Sequence, residues 1–396
     1  MAQRHRELGV TACCGAVLLT GGYSLQAFAF SMPALVRDWA IDDALIGPLL
    51  ACAMLGLMGG YLVIAPLADR FGARAIVTGS MGALALATIG SLLARDVVTL
   101  GAWRIAIGAA SGGAIPAAVS IVSQQGETRW QGARVVAVYT AYSLGFLAAA
   151  LVSGWLIPIA GWHAPWIVGM VLALGTALAA SRLPARSGRA LQHHQKSVRT
   201  LFEGSRRLGT LLLWAMFPIG LSLFYTLQSW LPLLATRGGT SFSDAVAITG
   251  AFTLGNMIGA LPMIWWSDRL GPLLALAVMG LVSLAGIALL ALSLTLTPAA
   301  LSAAALLAGI GIGGSQKGMT SAATLFYPPA IRATGLGWAL GIGRTGAVAG
   351  PLLLGLGERT SWLPLVLPIP ILILVLVPFW LDRRYGRIDR SGSPTY

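Results

Sequence analysis

The sequence predicts an all-α integral membrane protein with twelve transmembrane helices in two six-helix halves. Composition, the spacing of apolar runs and the distribution of charge point to it. Of 396 residues, 57% are hydrophobic and only 10% are charged, whereas a soluble domain carries about 25% charged residues. Runs of about 20 apolar residues, the length that crosses a hydrocarbon core, fall near 9–34, 44–66, 75–94, 97–123, 135–158, 161–181, 209–234, 244–266, 273–294, 299–326, 334–356 and 362–381. The first is longer than a signal-peptide core and lacks a convincing cleavage site, so it reads as a retained span.

Net charge is +13. With both termini placed inside, most lysines and arginines fall in inner segments, including Arg70, Arg74, Arg206, Arg207, Arg269 and Arg332, while the outer loops hold Arg37, Arg95, Arg237 and Arg359. This is the positive-inside asymmetry. The basic excess therefore reads as topology and contact with lipid headgroups, not as a nucleic-acid surface. The expected location is a bacterial-type inner membrane, with both termini cytoplasmic. Cys13, Cys14 and Cys52 lie in spans without metal-ligand spacing and read as small buried hydrophobes. The adjacent His193 and His194 fall in a basic polar linker, so no metal site and no cofactor are expected.

That linker, 182–208, divides an N-terminal bundle, 1–181, from a C-terminal bundle, 209–381, which is followed by a tail, 382–396. A short interfacial helix is expected from Val198 to Leu208. The halves share a local sequence. "LADRFGAR" follows the second span and "WSDRLGPL" the eighth, so Asp69-Arg70-x-Gly72 recurs as Asp268-Arg269-x-Gly271 in equivalent loops. Glycine suits a sharp turn and a carboxylate suits the positive end of a helix.

These loops and the paired halves resemble the major facilitator transporters. The superfamily's loop motif matches from Leu67 to Gly72 and again at Arg74, with Ala65 in place of its first glycine and Ala73 in place of a basic residue. The resemblance implies the major facilitator fold, with a substrate site between the halves at the bilayer midplane. It also implies a cytoplasmic gate built from Asp69, Arg70, Gly72 and Arg74, with Asp268 and Arg269 as the repeat. A narrower resemblance lies in "LFYPPAIRATGLGWALGIGRTGAVAGPLL", Leu325 to Leu353, and in "GGAIPAAVSIVSQ" and "SWLPLL". These are similar to the aromatic acid:proton symporters and their hydroxyphenylpropionate-carrying relatives, which implies a small organic anion as substrate.

Three cations, Arg104, Lys317 and Arg344, lie inside spans, and no aspartate or glutamate does. A charge at mid-bilayer costs roughly 2.5–3.5 kcal/mol on insertion scales. Lys317 lies ten residues before Tyr327 and Arg344 ten residues after Thr334, which places each about 15 Å from the inner surface. Two cations at one depth suit one carboxylate. Thr320 shares a helical face with Lys317. The alternative is a structural lysine held by hydroxyls, carbonyls or water. Arg104 begins Arg-x-x-x-Gly108, a motif that in the resembled superfamily implies a coupling role; a structural bond to carbonyls is the other reading. Tyr23 and Gln26, Tyr142, and Tyr225 and Gln228 occur at helical spacing in apolar runs. Each suits core packing or an aromatic body held beside the cations.

The resembled symporters carry Asp/Glu-Gly-x-Asp in their first helix, where this chain reads Gly21-Gly22-Tyr23-Ser24, and Gln124 follows Ser123 in place of a glutamate. Carboxylate-mediated proton symport is therefore disfavoured, leaving facilitated diffusion, anion exchange or titration of Lys317 itself. A drug or other solute exporter, and a non-transporting sensor that kept the fold, are the competing readings. Enzymatic activity is not expected, because no nucleophile–base pair, metal cluster or phosphate loop occurs. The partners expected are an organic anion and lipid, with a monomer as the working unit.

Overall fold

The computed structural model describes residues 2–124, 131–183, 198–203, 206–292, 297–328, 331–355 and 368–385. They form helices and short connections. The helices are α1 (Ala2–Trp39), α2 (Asp43–Gly59), α3 (Leu67–Phe71), α4 (Ala73–Leu93), α5 (Val97–Ser123), α6 (Gln131–Ala160) and α7 (Ala164–Ser181), then α8 (Arg206–Arg237), α9 (Phe242–Ile258), α10 (Ala260–Leu270), α11 (Pro272–Leu292), α12 (Pro298–Phe326), α13 (Arg332–Gly355) and α14 (Pro368–Tyr385). Two compact units result: Met1–Gln192 with Pro232–Val246, and His193–Leu231 with Ala247–Tyr396.

Local chemistry sets the helix ends. The Asp42 carboxylate accepts from the Ala44 N–H at the start of α2, and Asp96 accepts from both the N–H and the hydroxyl of Thr99 at the start of α5. Thr297 caps α12, with Pro298 in the first turn, where a missing N–H costs nothing. Gly72 and Gly271, after α3 and α10, have φ of 84° and 87°, so the same left-handed turn recurs in each unit and needs glycine.

The repeat extends into the packing. In α2 and α5, Gly56 and Gly60 meet the carbonyls of Ile105 and Ala109, while Gly108 and Gly112 meet those of Ala53 and Leu57. In α9 and α12, Gly255 and Gly259 meet the carbonyls of Leu306 and Ile310, while Gly309 and Gly313 meet those of Phe252 and Asn256. A Cβ at any of the eight would overlap backbone, so each pair of helices crosses at the distance that small residues every fourth position permit. The helix also deforms at matched places. After α2 comes a π-turn, Gly60–Ile64, closed by the Ala65 N–H on the Gly60 carbonyl. At the equivalent position α9 stops at Ile258 and α10 begins at Ala260. Pro262 explains the second break: it offers no N–H to the carbonyl four residues earlier and its ring crowds that carbonyl.

Among the described residues, ten helical stretches are long and apolar enough to cross a membrane, from Glu7–Trp39 to Pro298–Thr324. The predicted eighth span is present as α9 and α10 together, broken where the sequence pattern suggested one continuous helix. Helices α13 and α14 occupy the positions of the last two predicted spans, and their hydropathy is lowered by Arg332 and Arg344 and by Asp382, Arg383 and Arg384. Exposed Leu62, Leu86, Leu93, Leu151, Trp155, Leu178 and Leu353 project from these helices, a surface suited to acyl chains and not to water.

The short helix predicted from Val198 to Leu208 is instead a 3-10 turn, Val198–Phe202, with α8 starting at Arg206. The Thr210 hydroxyl donates to the Leu201 carbonyl, and Phe202 packs edge-on against Trp214, which anchors the turn to α8. His193 and His194 lie outside the described residues.

Candidate functional site

The second unit builds its polar centre at the α9–α12 crossing. Along α12, Gly309 and Gly313 face α9, and Gln316 and Lys317 follow Gly313 at three and four residues, on the same face. The Lys317 ammonium donates to the Asn256 carbonyl at 2.7 Å. That carbonyl belongs to the last turn of α9, where carbonyls lack intrahelical partners. The break in α9 thus supplies an acceptor for a mid-span cation in a chain whose acids lie only in tails, loops or span ends. Lys317 keeps an exposed side chain despite its mid-helix position. Thr320, one turn on, is half-buried and donates back to the Gln316 carbonyl at 3.2 Å.

Two buried donors at this crossing have no acceptor among the described residues: Asn256 Nδ2 and Gln316 Nε2. Neither residue was singled out by the sequence pattern. Asn256 stands in "GNMIG", which reads as apolar span, and Gln316 was overshadowed by the lysine beside it.

Arg344, half-buried in α13, lies within 3.5 Å of the Tyr225 hydroxyl on α8. Gly343, Gly346 and Gly350 bring α13 against Phe217, Pro218 and Thr226 of α8. Tyr225 packs edge-on against Phe224, and buried Gln228 donates to Thr253 of α9 at 3.0 Å. Lys317 is thus held from α9 and Arg344 from α8.

In the first unit Arg104 is buried. It donates to the Ser24 carbonyl at 3.3 Å and lies 4.0 Å from the centre of the Phe28 ring. A cation over an aromatic face offsets part of the cost of burial. A small cavity beside it is lined by Tyr23, Ser24, Thr88, Ser91 and Trp166. The Tyr23 hydroxyl donates to the Pro165 carbonyl at 2.9 Å, tying α1 to α7. Gln26 is fully buried, while Tyr142 is half-buried and meets Phe146 edge-on.

The loop residues are open. Asp69, Arg70, Asp268 and Arg269 are exposed, and Arg74 is half-buried. Arg70 lies over Phe71 and Arg269 over Trp265 at 3.8 Å. Among the described residues these loops form no ion pair. Ion pairs are formed elsewhere, at Arg37–Asp38, Arg134–Glu7 and Arg237–Asp43, the last joining the end of α8 to the start of α2. No group of three histidines, cysteines or acids among the described residues could hold a metal ion.

Paired glycine crossings, matched helix distortions and the repeated Asp-Arg-x-Gly turn describe one helical plan used twice. The family model described as Major Facilitator Superfamily matches residues 12–351 and 239–394. The chain belongs to the Major Facilitator Superfamily. Among its relatives within this superfamily, the 4-hydroxybenzoate transporter of Pseudomonas aeruginosa is 32% identical, over 88% of this chain and 86% of the relative. The 3-(3-hydroxy-phenyl)propionate transporter of Escherichia coli is 31% identical over 95% and 94%, and the gallate transporter of Pseudomonas putida 29% over 93% and 88%. Among solved structures, the D-xylose-proton symporter superposes with a TM-score of 0.76 at 17% identity, covering 94% of this chain and 97% of that one. At that identity the match concerns the fold alone. This facilitator is a multi-pass membrane transporter, not an enzyme.

Proposed function

We propose that the protein is a secondary carrier that moves a small aromatic carboxylate across a bacterial inner membrane by alternating access, as a monomer with both termini cytoplasmic. The observation that carries this reading is the Lys317 ammonium, which rests on a neutral carbonyl in a chain whose acids lie only in tails, loops or span ends. Relatives at about 30% identity support the substrate class, since their names specify 4-hydroxybenzoate, 3-(3-hydroxy-phenyl)propionate and gallate. A carboxylate is a better partner for an ammonium than an amide carbonyl, because it adds the attraction between two opposite full charges to the hydrogen bond.

In this reading Lys317 and Arg344 bind the substrate carboxylate, and Tyr225, Gln228 and Thr320 line the same wall. Within the first unit, Tyr23, Gln26 and Tyr142 are the candidate substrate-contacting residues. Arg104, already braced by the Ser24 carbonyl and Phe28, takes a coupling role by positioning α1 against α5. Asp69, Arg70, Gly72 and Arg74, with Asp268 and Arg269, act as the cytoplasmic gate. Translocation proceeds without a carboxylate proton carrier.

Uptake by proteoliposomes tests this with labelled benzoate, 4-hydroxybenzoate, gallate, 3-(3-hydroxyphenyl)propionate and a short aliphatic acid, each with and without a pH gradient. Saturable uptake of one or more aromatic acids, competed by unlabelled aromatic but not aliphatic acid, is expected. Transport of organic cations in place of acids would contradict it and favour an exporter of the drug-carrying kind.

A further inference from the structure

We propose that Asn256 and Gln316 are ligands of the substrate carboxylate, their amide N–H groups completing with Lys317 a three-donor anion site at the α9–α12 crossing; this rests on the carrier reading above and names residues that it did not include. Three observations carry it. First, Asn256 Nδ2 and Gln316 Nε2 are buried and have no acceptor, and a buried donor left unpaired is costly. Second, they flank the lysine. Gly313 packs on the Asn256 backbone, Lys317 donates to the Asn256 carbonyl, and Gln316 is its chain neighbour on the same face. What this cluster lacks is acceptors, and a carboxylate, with two oxygens and about four lone-pair sites, supplies them.

Third, the fold does not need these side chains. The same glycine crossing in the first unit places Leu57 where the second has Asn256, and Ile115 and Pro116 where it has Gln316 and Lys317. Apolar residues therefore suffice to pack this geometry, and all three polar departures concentrate at one spot in one unit. Ser315, whose hydroxyl is also unpartnered, follows Gly311 by one turn on the side packed against Ser283 of α11 and is not part of the site. On binding, the carboxylate accepts from both amides and from the ammonium, which exchanges the Asn256 carbonyl for a charged partner. Substrate thereby releases the last turn of α9, next to the break at Gly259.

The test measures binding of benzoate, the simplest aromatic carboxylate, to the full-length carrier, together with the melting temperature of the empty protein. Asn256→Leu and Gln316→Met delete the donors at nearly constant volume. Each should weaken benzoate binding about tenfold or more and leave the empty protein as stable as before or more so. Asn256→Asp and Gln316→Glu, of matching size, should weaken it further by setting a carboxylate beside the ligand's, and they carry the test by the same readout if either apolar variant does not fold. Benzoate affinity retained in the donor-deletion variants but lost in Lys317→Met would overturn this assignment and leave the carrier reading standing. Affinity retained in Lys317→Met as well would overturn both. Weakened binding accompanied by a lowered melting temperature of the empty protein would make the amides structural and also overturn the assignment.

Discussion

The ammonium of Lys317 and the carbonyl of Asn256 are 2.7 Å apart, at the turn where α9 breaks. Four residues before Lys317, Gly313 brings the two helices so close that no Cβ fits between them. The lysine therefore comes at the end of a tight helix crossing and finds the free carbonyl of a helix terminus. Two structural faults in an apolar span, a break and a charge, compensate one another.

The crossing itself is open to test. Gly313→Ala would drive a methyl into the Asn256 carbonyl, and overpacking of this kind costs typically 1–3 kcal/mol. The melting temperature should fall and the Lys317 bond should be displaced. Gly337→Ala, where nothing lies within 4 Å, should be neutral or slightly stabilising. Equal melting temperatures for the two variants would refute the close-packing account.

Asp96 lies outside the spans, and its hydrogen bonds from the Thr99 hydroxyl and N–H hold its pKa below the ordinary carboxylate value. A lowered native pKa means that the unfolded chain binds the proton more readily, so the cap stabilises the fold above the ordinary carboxylate pKa and loses this effect as pH falls through the lowered one. A melting curve from neutral pH to pH ~3 should show wild type losing its advantage over Asp96→Ala toward the acid end. A difference that does not vary with pH would show that the carboxylate cap contributes nothing.

Much of the fold was legible because lipid imposes a simple rule: every span must be long, apolar and helical. Asp69 and Asp268, each in an Asp-Arg-x-Gly turn, exposed the repeat. Less legible were features that depend on which backbone meets which. Gly255 and Gly259 read as ordinary span residues, and only their contact with Leu306 and Ile310 shows the crossing. Pro262 sits in a stretch that reads as one continuous span, and the consequence of the break beside it, a carbonyl offered to Lys317, needs the partner helix. Tyr23 looked equally suited to core or ligand from spacing alone. Its hydroxyl bond to Pro165 joins residues far apart in the chain, which no local pattern encodes.

The gate loops give a kinetic prediction. Asp69 is exposed and forms no ion pair among the described residues, so it is free to engage in another conformation. Asp69→Asn should slow benzoate transport while leaving equilibrium binding within a few-fold, because a latch shifts conformational populations without touching ligand. Binding lost in parallel with transport, in folded protein, would remove the gate from the account.

The expected energetic coupling follows from the confinement of the acids to tails, loops and span ends. At fixed substrate-anion concentration, an imposed pH gradient should not drive accumulation, whereas counterflow against internal benzoate should persist. Concentrative uptake abolished by a protonophore would contradict this and direct attention to Lys317 and Arg104 as titrating groups.

The affinity of the Lys317→Met carrier for benzoate tests the central claim most directly. Removing one partner of a desolvated charge pair typically costs about 2–5 kcal/mol, so Kd should rise roughly 30-fold or more. Lys317→Arg should retain part of the affinity, since it keeps the charge and changes the geometry. The empty protein should melt no lower, because a charge that is costly at mid-bilayer has been removed. Unchanged benzoate affinity in Lys317→Met, with a lowered melting temperature of the empty protein, would show that the lysine serves the helix break and not the substrate.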